Sequence, residues 1–125
     1  KWLFLASLAA GTCLMRAPIG DIVASPNGRE FILGLIEEIR SVALASGYSP
    51  SVERAHSMLL VPGSTLTASM YRDLLNGSRI ESDQIVGDLI YRAEQQNMQK
   101  ASLPLLYTAY THLKAYEHQK QRTEN

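Results

Sequence analysis

Three observations predict an all-α domain. Apolar residues recur at three- and four-residue spacings, as one buried helix face requires. Proline, glycine and Asn-Gly punctuation cuts the chain into segments of helical length. No segment alternates apolar and polar residues in the manner of a half-buried strand. The 125 residues, 46% of them hydrophobic, suit one domain with its own core. About six helices are expected, with no internal repeat, low-complexity stretch or linker that would set off a second domain.

The first helix is Trp2 to Leu14 (WLFLASLAAGTCL), closed by Pro18-Ile19-Gly20. It is apolar nearly all round, and a helix without a wet face has to be covered on every side. With Lys1 in front, the tract also has the look of a secretory signal, and an exported protein would be cleaved near Cys13. Arg16-Ala17-Pro18 gives no clean small-residue cleavage site, however. The tract is also shorter than the roughly 20 apolar residues a bilayer span needs. A buried core helix is the better account. The opening residue is lysine rather than methionine, as expected of a piece cut from something longer.

Ser25-Pro26 offers an N-cap and a proline at the first helical position. The helix it would start carries Phe31, Ile32, Leu35, Ile36, Ile39, Val42 and Ala43 on one face, and Gly47 would end it. Ser49-Pro50 repeats the start signal for a shorter helix with Ala55, Met58 and Leu59, stopped at Pro62-Gly63. A short helix from Ala68 to Leu75 ends at the turn dipeptide Asn76-Gly77. Another runs from about Ser82 to Gln95 and buries Ile85, Val86, Leu89, Ile90 and Ala93. The last begins near Ser102 with Leu106, Tyr110 and Leu113 on one face, and its polar tail, Glu117 to Asn125, is expected to fray.

Twelve Lys and Arg balance twelve Asp and Glu. Nucleic acid and anionic membranes both favour a basic excess, so neither is expected as a partner. Charged residues, at 19%, fall below the roughly 25% of an average soluble chain. Part of the surface is therefore expected to lie against a missing domain or a second copy in a homodimer. The single cysteine, Cys13, excludes an internal disulfide and makes a reducing, cytoplasmic setting the default.

The glycines form neither G-x-G-x-x-G nor a P-loop, so no cofactor-binding residues are expected in this chain. His56, His112 and His118 lack metal-ligand spacing, and no metal site is expected. Cys13 sits in an apolar tract and reads as a core residue rather than a nucleophile. Two features could carry chemistry. The stretch from Ser69 to Asp83 gathers many polar groups around an exposed turn, and Glu81 and Asp83 stand at the start of an apolar-faced helix. Acids in a first helical turn commonly just complement the dipole. Lys1, beside Trp2, is either a solvated terminal lysine or a functional one. The residue types alone leave both questions open.

The pattern Ser69-Met70-x-x-Asp73-x-x-x-Gly77-x-x-x-Glu81-x-Asp83-x-x-x-Gly87 resembles the signature stretch of the C-terminal domain of ketopantoate reductases (2-dehydropantoate 2-reductases). Lys1-Trp2-x-Phe4-Leu5-Ala6, leading into Leu14-x-Arg16-x-x-x-Gly20, is similar to the family's first helix in this domain. Glu38, Val42, Ala43, Ala45 and Gly47 match its next long helix, and Tyr107 and Leu113 its last. The likeness covers about Lys1 to Tyr116; its specific part is the spacing of twelve between Ser69 and Glu81.

The resemblance implies the helical C-terminal fold of 6-phosphogluconate-dehydrogenase-like reductases. It also implies an N-terminal Rossmann domain, outside this chain, that binds NADPH, with the active site in the cleft between the two. The implied reaction reduces 2-dehydropantoate to pantoate in pantothenate biosynthesis. Lys1 then matches the catalytic lysine, Glu81 its acidic partner and Ser69 a polar contact to substrate. Hydride addition to a 2-oxo acid leaves an alkoxide, which a lysine ammonium can stabilise and protonate. These 125 residues alone are predicted neither to bind NADPH tightly nor to catalyse.

The departures concern the substrate. Ketopantoate-specific members carry asparagines where this chain has Leu5 and Ala9, and others where it has Leu66 and Val86; their proline near the last helix is Ala101 here. Losing amide donors from a pocket removes the partners of a polar substrate. A bulkier or more apolar 2-oxo acid is therefore expected, with Leu5 and Ala9 on the substrate side. The alternative is a non-catalytic helical dimerisation module.

Overall fold

Residues 2–15 contain no charged side chain, so the helix they form is stable only where other elements enclose it. A computed structural model describes residues 2–124, and the side chains of residues 2–123. In it α1 (Trp2–Met15) is the central element, packed against α2 (Ile19–Ala24), α3 (Gly28–Ala45), α4 (Glu53–Met58), α5 (Ser69–Leu75) and α7 (Pro104–Glu124). α6 (Val86–Gln95) packs on α3 and α7. A single 3-10 turn, Lys100–Ser102, leads into α7. The described residues contain no strand, and none of their helices is long and apolar enough to cross a membrane.

Leu3, Phe4 and every residue from Ala6 to Cys13 are buried. Ile32, Leu35, Ile36, Ile39 and Val42 of α3 meet this helix and its neighbours as the sequence spacing requires, each at most 1% exposed. Gly11 lets the two helices close up, since a Cβ there would lie 3.2 Å from Ile32 Cδ1. Cys13 belongs to the same core, where burial pushes its thiol up to about 12. It is an inert packing residue.

Several boundaries differ from those expected of the sequence, and α4 begins at Glu53 rather than at the Ser49-Pro50 start signal. Pro18 to Ala24, read as punctuation, contains a helix of its own: Pro18 precedes Ile19 as a helix start rather than a stop. Ser25 therefore ends α2 instead of capping α3, its hydroxyl donating to the Asp21 carbonyl. α3 starts only after left-handed Asn27, at Gly28, where a Cβ would collide with the Ile22 carbonyl oxygen. α6 starts at Val86, not Ser82, because the Ser82 hydroxyl and N–H are both committed to α7. The tail expected to fray is helical to Glu124. Its Glu, Gln, Lys and Arg residues are good helix formers even without burial.

The start of α7 is capped from a distance. Pro104 has no N–H to satisfy, and the next donors are satisfied by Glu38 of α3. Its carboxylate accepts the N–H of Leu105 at 3.1 Å and that of Leu106 at 2.8 Å. Burial raises the Glu38 carboxyl above the ordinary range, against the pull of these two donors. A residue separated by more than sixty positions thus does the work of an N-cap.

Candidate functional site

Residues 76–85 join α5 to α6 without regular structure, and α7 fixes them in place. Tyr116 donates its hydroxyl hydrogen bond to the Ser78 carbonyl. Glu117 Oε2 accepts the Ser82 N–H at 3.2 Å and the Ser82 hydroxyl at 2.8 Å. Asp83 is held by both oxygens: Oδ1 accepts the Tyr110 hydroxyl at 2.7 Å, and Oδ2 lies 3.3 Å from Lys114 Nζ. Lys114 also reaches Glu117 Oε1 at 2.9 Å and ties the two acids together.

These bonds set the charges. The Tyr110 hydroxyl, with Lys114 adding to it, holds the Asp83 carboxyl below the usual carboxylate range. Donating to that carboxylate raises the Tyr110 phenol. Burial pushes Glu117 up, but Lys114 and Ser82 outweigh it and the carboxyl ends below its ordinary value. Glu117 chiefly, and then Asp83, raise Lys114. All these groups are therefore in their charged or hydrogen-bonding forms at neutral pH.

Between this loop and α7 lies a cleft of about 240 Å³, lined by Arg79, Ile80, Glu81, Asp83, Tyr116, Glu117, Lys120 and Gln121. Of its three carboxylates, Asp83 and Glu117 are engaged. The exposed Glu81 side chain has no hydrogen-bond or ion-pair partner among the described residues.

The other site residues expected from the sequence are placed as follows. Lys1 lies outside the described residues. Leu5 is 46% exposed, one of the few large apolar side chains left open, whereas Ala9 is only 2% exposed. Of these two positions, only Leu5 leaves its side chain open to solvent. Ser69 is exposed at the first residue of α5, which packs on α1. Neither Leu5, Ala9 nor Ser69 lines the Glu81 cleft. A second cleft of about 360 Å³ opens beside Trp2, walled by Leu3, Ala43, Ser46, Tyr48, Pro50 and Arg92. No group of three or more His, Cys, Asp or Glu that could hold a metal occurs among the described residues.

Sequence reasoning missed the α7 side of the cleft. Tyr110 shares the apolar spacing of Leu106 and Leu113, and its half-buried ring packs against the core while its hydroxyl reaches Asp83. Tyr110, Lys114 and Glu117 are four and three residues apart, which places them on one helix face. That spacing was legible. Their partners at 82 and 83, about thirty positions away, were not.

Helices gathered around an apolar α1, with an acid-lined loop between α5 and α6 fastened to α7, define an all-helical domain. The family model for the C-terminal part of ketopantoate reductases (PanE/ApbA) matches residues 1–117, and the chain belongs to that family. The oxidoreductase YkpB of Bacillus subtilis (strain 168) is 34% identical over 123 residues, covering 96% of this chain and 40% of YkpB. A dimeric ketopantoate reductase from Staphylococcus aureus superimposes with a TM-score of 0.79 at 26% identity, over 95% of this chain and 43% of that enzyme. D-Mandelate dehydrogenase, solved with NADH and anilino(oxo)acetate, shares the fold with a TM-score of 0.78 at 15% identity, over 97% of this chain and 51% of its own. The chain therefore spans less than half the length of YkpB and of the S. aureus reductase.

Proposed function

We propose that this chain is the substrate-binding and catalytic half of a cytoplasmic, NADPH-dependent 2-oxo acid reductase. The observation that carries the reading is Glu81, whose carboxylate has no partner among the described residues while the other two carboxylates of its cleft, Asp83 and Glu117, are engaged. Family membership supports it. The described residues have neither a strand nor a glycine-rich loop for a pyrophosphate, so the cofactor fits a Rossmann domain outside this chain. Bound there, the reduced nicotinamide supplies the hydride. The ammonium of Lys1 donates a proton to the substrate oxygen as it gains charge, and Glu81 orients that ammonium or holds the product hydroxyl. Ser69 gives the substrate a polar contact.

The substrate proposed is a 2-oxo acid more apolar than ketopantoate. An exposed leucine at position 5 is a poor partner for a polar substrate group and a good one for an alkyl or aryl chain.

The test is NADPH oxidation by the full-length protein with ketopantoate, 4-methyl-2-oxopentanoate and phenylglyoxylate. Lys1→Ala and Glu81→Gln are each expected to lower turnover by about 10²-fold or more, the scale of acid–base groups. A kcat/KM for ketopantoate of about 10⁴ M⁻¹s⁻¹ or higher, with the apolar acids rejected, would overturn the substrate. Absence of turnover on all three would favour the interaction-module reading. Trp2 and Tyr48, exposed at 39% and 61% beside one cleft, are the surface such a module, or a homodimer, would use.

A further inference from the structure

The Glu81 side chain is aimed by nothing except the backbone that carries it, and that backbone is fastened on both sides. Three residues before it, Ser78 is held by Tyr116; immediately after it, Ser82 and Asp83 are held by Glu117, Tyr110 and Lys114. Gly87 completes the arrangement from α6. A Cβ there would stand 2.4 Å from Asp83 Oδ1 and 3.1 Å from Tyr110 Cε1, so the carboxylate and the ring occupy space that only glycine leaves free. The Gly87 N–H closes the turn by donating to the Ser82 carbonyl at 2.8 Å.

Folding stability is a weak explanation for these bonds. The Asp83 side chain is 65% exposed and that of Lys114 33% exposed, and exposed ion pairs add little to folding. Their geometric consequence is larger. A loop residue that must be ordered when substrate arrives loses backbone freedom at that moment, whereas a loop already fastened has lost it on folding. A carboxylate held where it is needed keeps the reacting groups aligned.

Resting on the reading of Glu81 given above, we propose that Asp83, Tyr110, Lys114 and Glu117 form a positioning clamp that presets Glu81 in its cleft. Asp83 and Glu117 share the wall of the cleft with Glu81, whereas Tyr110 and Lys114 stand behind that wall and act through the residues they hold. Tyr110 is the point to attack, because removing its hydroxyl deletes one bond and leaves the packing of the ring.

The experiment is a double-mutant cycle in the full-length protein, read by NADPH oxidation with the three acids named above. Tyr110→Phe is expected to lower kcat about tenfold with KM within about twofold, the cost of misalignment rather than lost contact. In a Glu81→Gln background the same change should cost nothing further, because the group it positions is already disabled. Asp83→Asn, which still accepts from Tyr110, should retain more activity than Asp83→Ala. Arg40→Ala, which breaks the exposed pair with Glu37 on α3, should leave activity unchanged. A Tyr110→Phe loss that multiplies through in the Glu81→Gln background would overturn the clamp while leaving Glu81 catalytic. Wild-type turnover in Glu81→Gln itself would overturn the reading of Glu81, and the clamp with it. Amide hydrogen exchange supplies a readout that needs no turnover. Residues 79–83 should exchange about tenfold faster in Tyr110→Phe while residues 105–113 of α7 stay protected, and unchanged exchange in the loop would overturn the proposal.

Discussion

The α1–α3 seam and the seam between the 78–83 loop and α7 join the same small domain with opposite materials. In the first, Gly11 faces Ile32 and Leu35, and the side chains that meet there are apolar and almost wholly buried. In the second, hydroxyls, carboxylates and one ammonium meet, several of them in partial contact with water. Close-packed apolar atoms contribute most to folding and do so without directional demands. Hydrogen bonds at the surface contribute little net free energy but fix where atoms sit to a few tenths of an ångström. The dry seam is the part of this domain that holds the fold, and the wet seam is the part that sets the geometry of an acid.

That division is sharpest under truncation. Leu35→Ala, at a side chain fully buried against α1, is expected to destabilise the chain by about 2–5 kcal/mol, as core leucine deletions do. Urea denaturation followed by circular dichroism would measure it. Under the proposed function, the molecules that remain folded should keep their full kcat, opposite to the pattern expected of Tyr110→Phe. A loss below about 1 kcal/mol, the range of ordinary surface substitutions, would mean that the seam is less essential than its burial implies.

Glu38 lies between the two kinds of seam, a carboxylate that works for the fold. Removing it leaves the N–H groups of Leu105 and Leu106 without their acceptor at a partly buried helix start. Glu38→Ala is expected to cost about 1–2 kcal/mol, the range for a lost cap, and Glu38→Gln less, since one carbonyl oxygen still accepts. The denaturant midpoints of the two variants should fall in that order, and equal midpoints would remove the capping account.

The sequence carried the dry seam almost completely. The spacing in α3 named Phe31, Ile32, Leu35, Ile36, Ile39, Val42 and Ala43, and all seven are buried. The all-round apolarity of residues 2–14 likewise called for an enclosed helix, and α1 is enclosed from Ala6 to Cys13, with Trp2 and Leu5 left open. Periodicity works here because burial is a property of one helix face at a time. The wet seam was legible only on one side. The polar stretch from Ser69 to Asp83 could be singled out, but not the α7 residues that hold it, since Tyr110–Asp83 and Ser82–Glu117 are pairings no local rule encodes. Ser82 shows the cost of local rules: a serine before an apolar run reads as a helix start, whereas here it is anchored to α7 and the helix begins four residues later. Pro18 misled in the same way, since a proline that ends one helix serves equally well just before the next.

The smallest effect separates the seams by pH. Asp83 has a native carboxyl pKa below its unfolded value of 3.8 because the Tyr110 hydroxyl, and Lys114 after it, favour the ionised form. A lowered native value means that the unfolded chain binds the proton more readily. The stability Asp83 contributes is therefore present above 3.8 and is lost as the pH falls through the lower native value. Glu117 shifts in the same direction for similar reasons. Glu38 shifts the other way: burial raises it, so its contribution is present when it is protonated and declines as the pH rises through the native value. Acidification should accordingly weaken the wet seam while the cap on α7 loses less. Asp83→Asn isolates the first effect. At pH 7 it should lower the melting temperature slightly, as a surface pair worth about 0–1 kcal/mol would. Once the pH has fallen through the lowered native value, so that Asp83 and asparagine are both uncharged, the gap to wild type should close. A gap that persists unchanged into acid would show that Asp83 holds the loop by shape alone, and the ammonium of Lys114 would then have no part in fastening it.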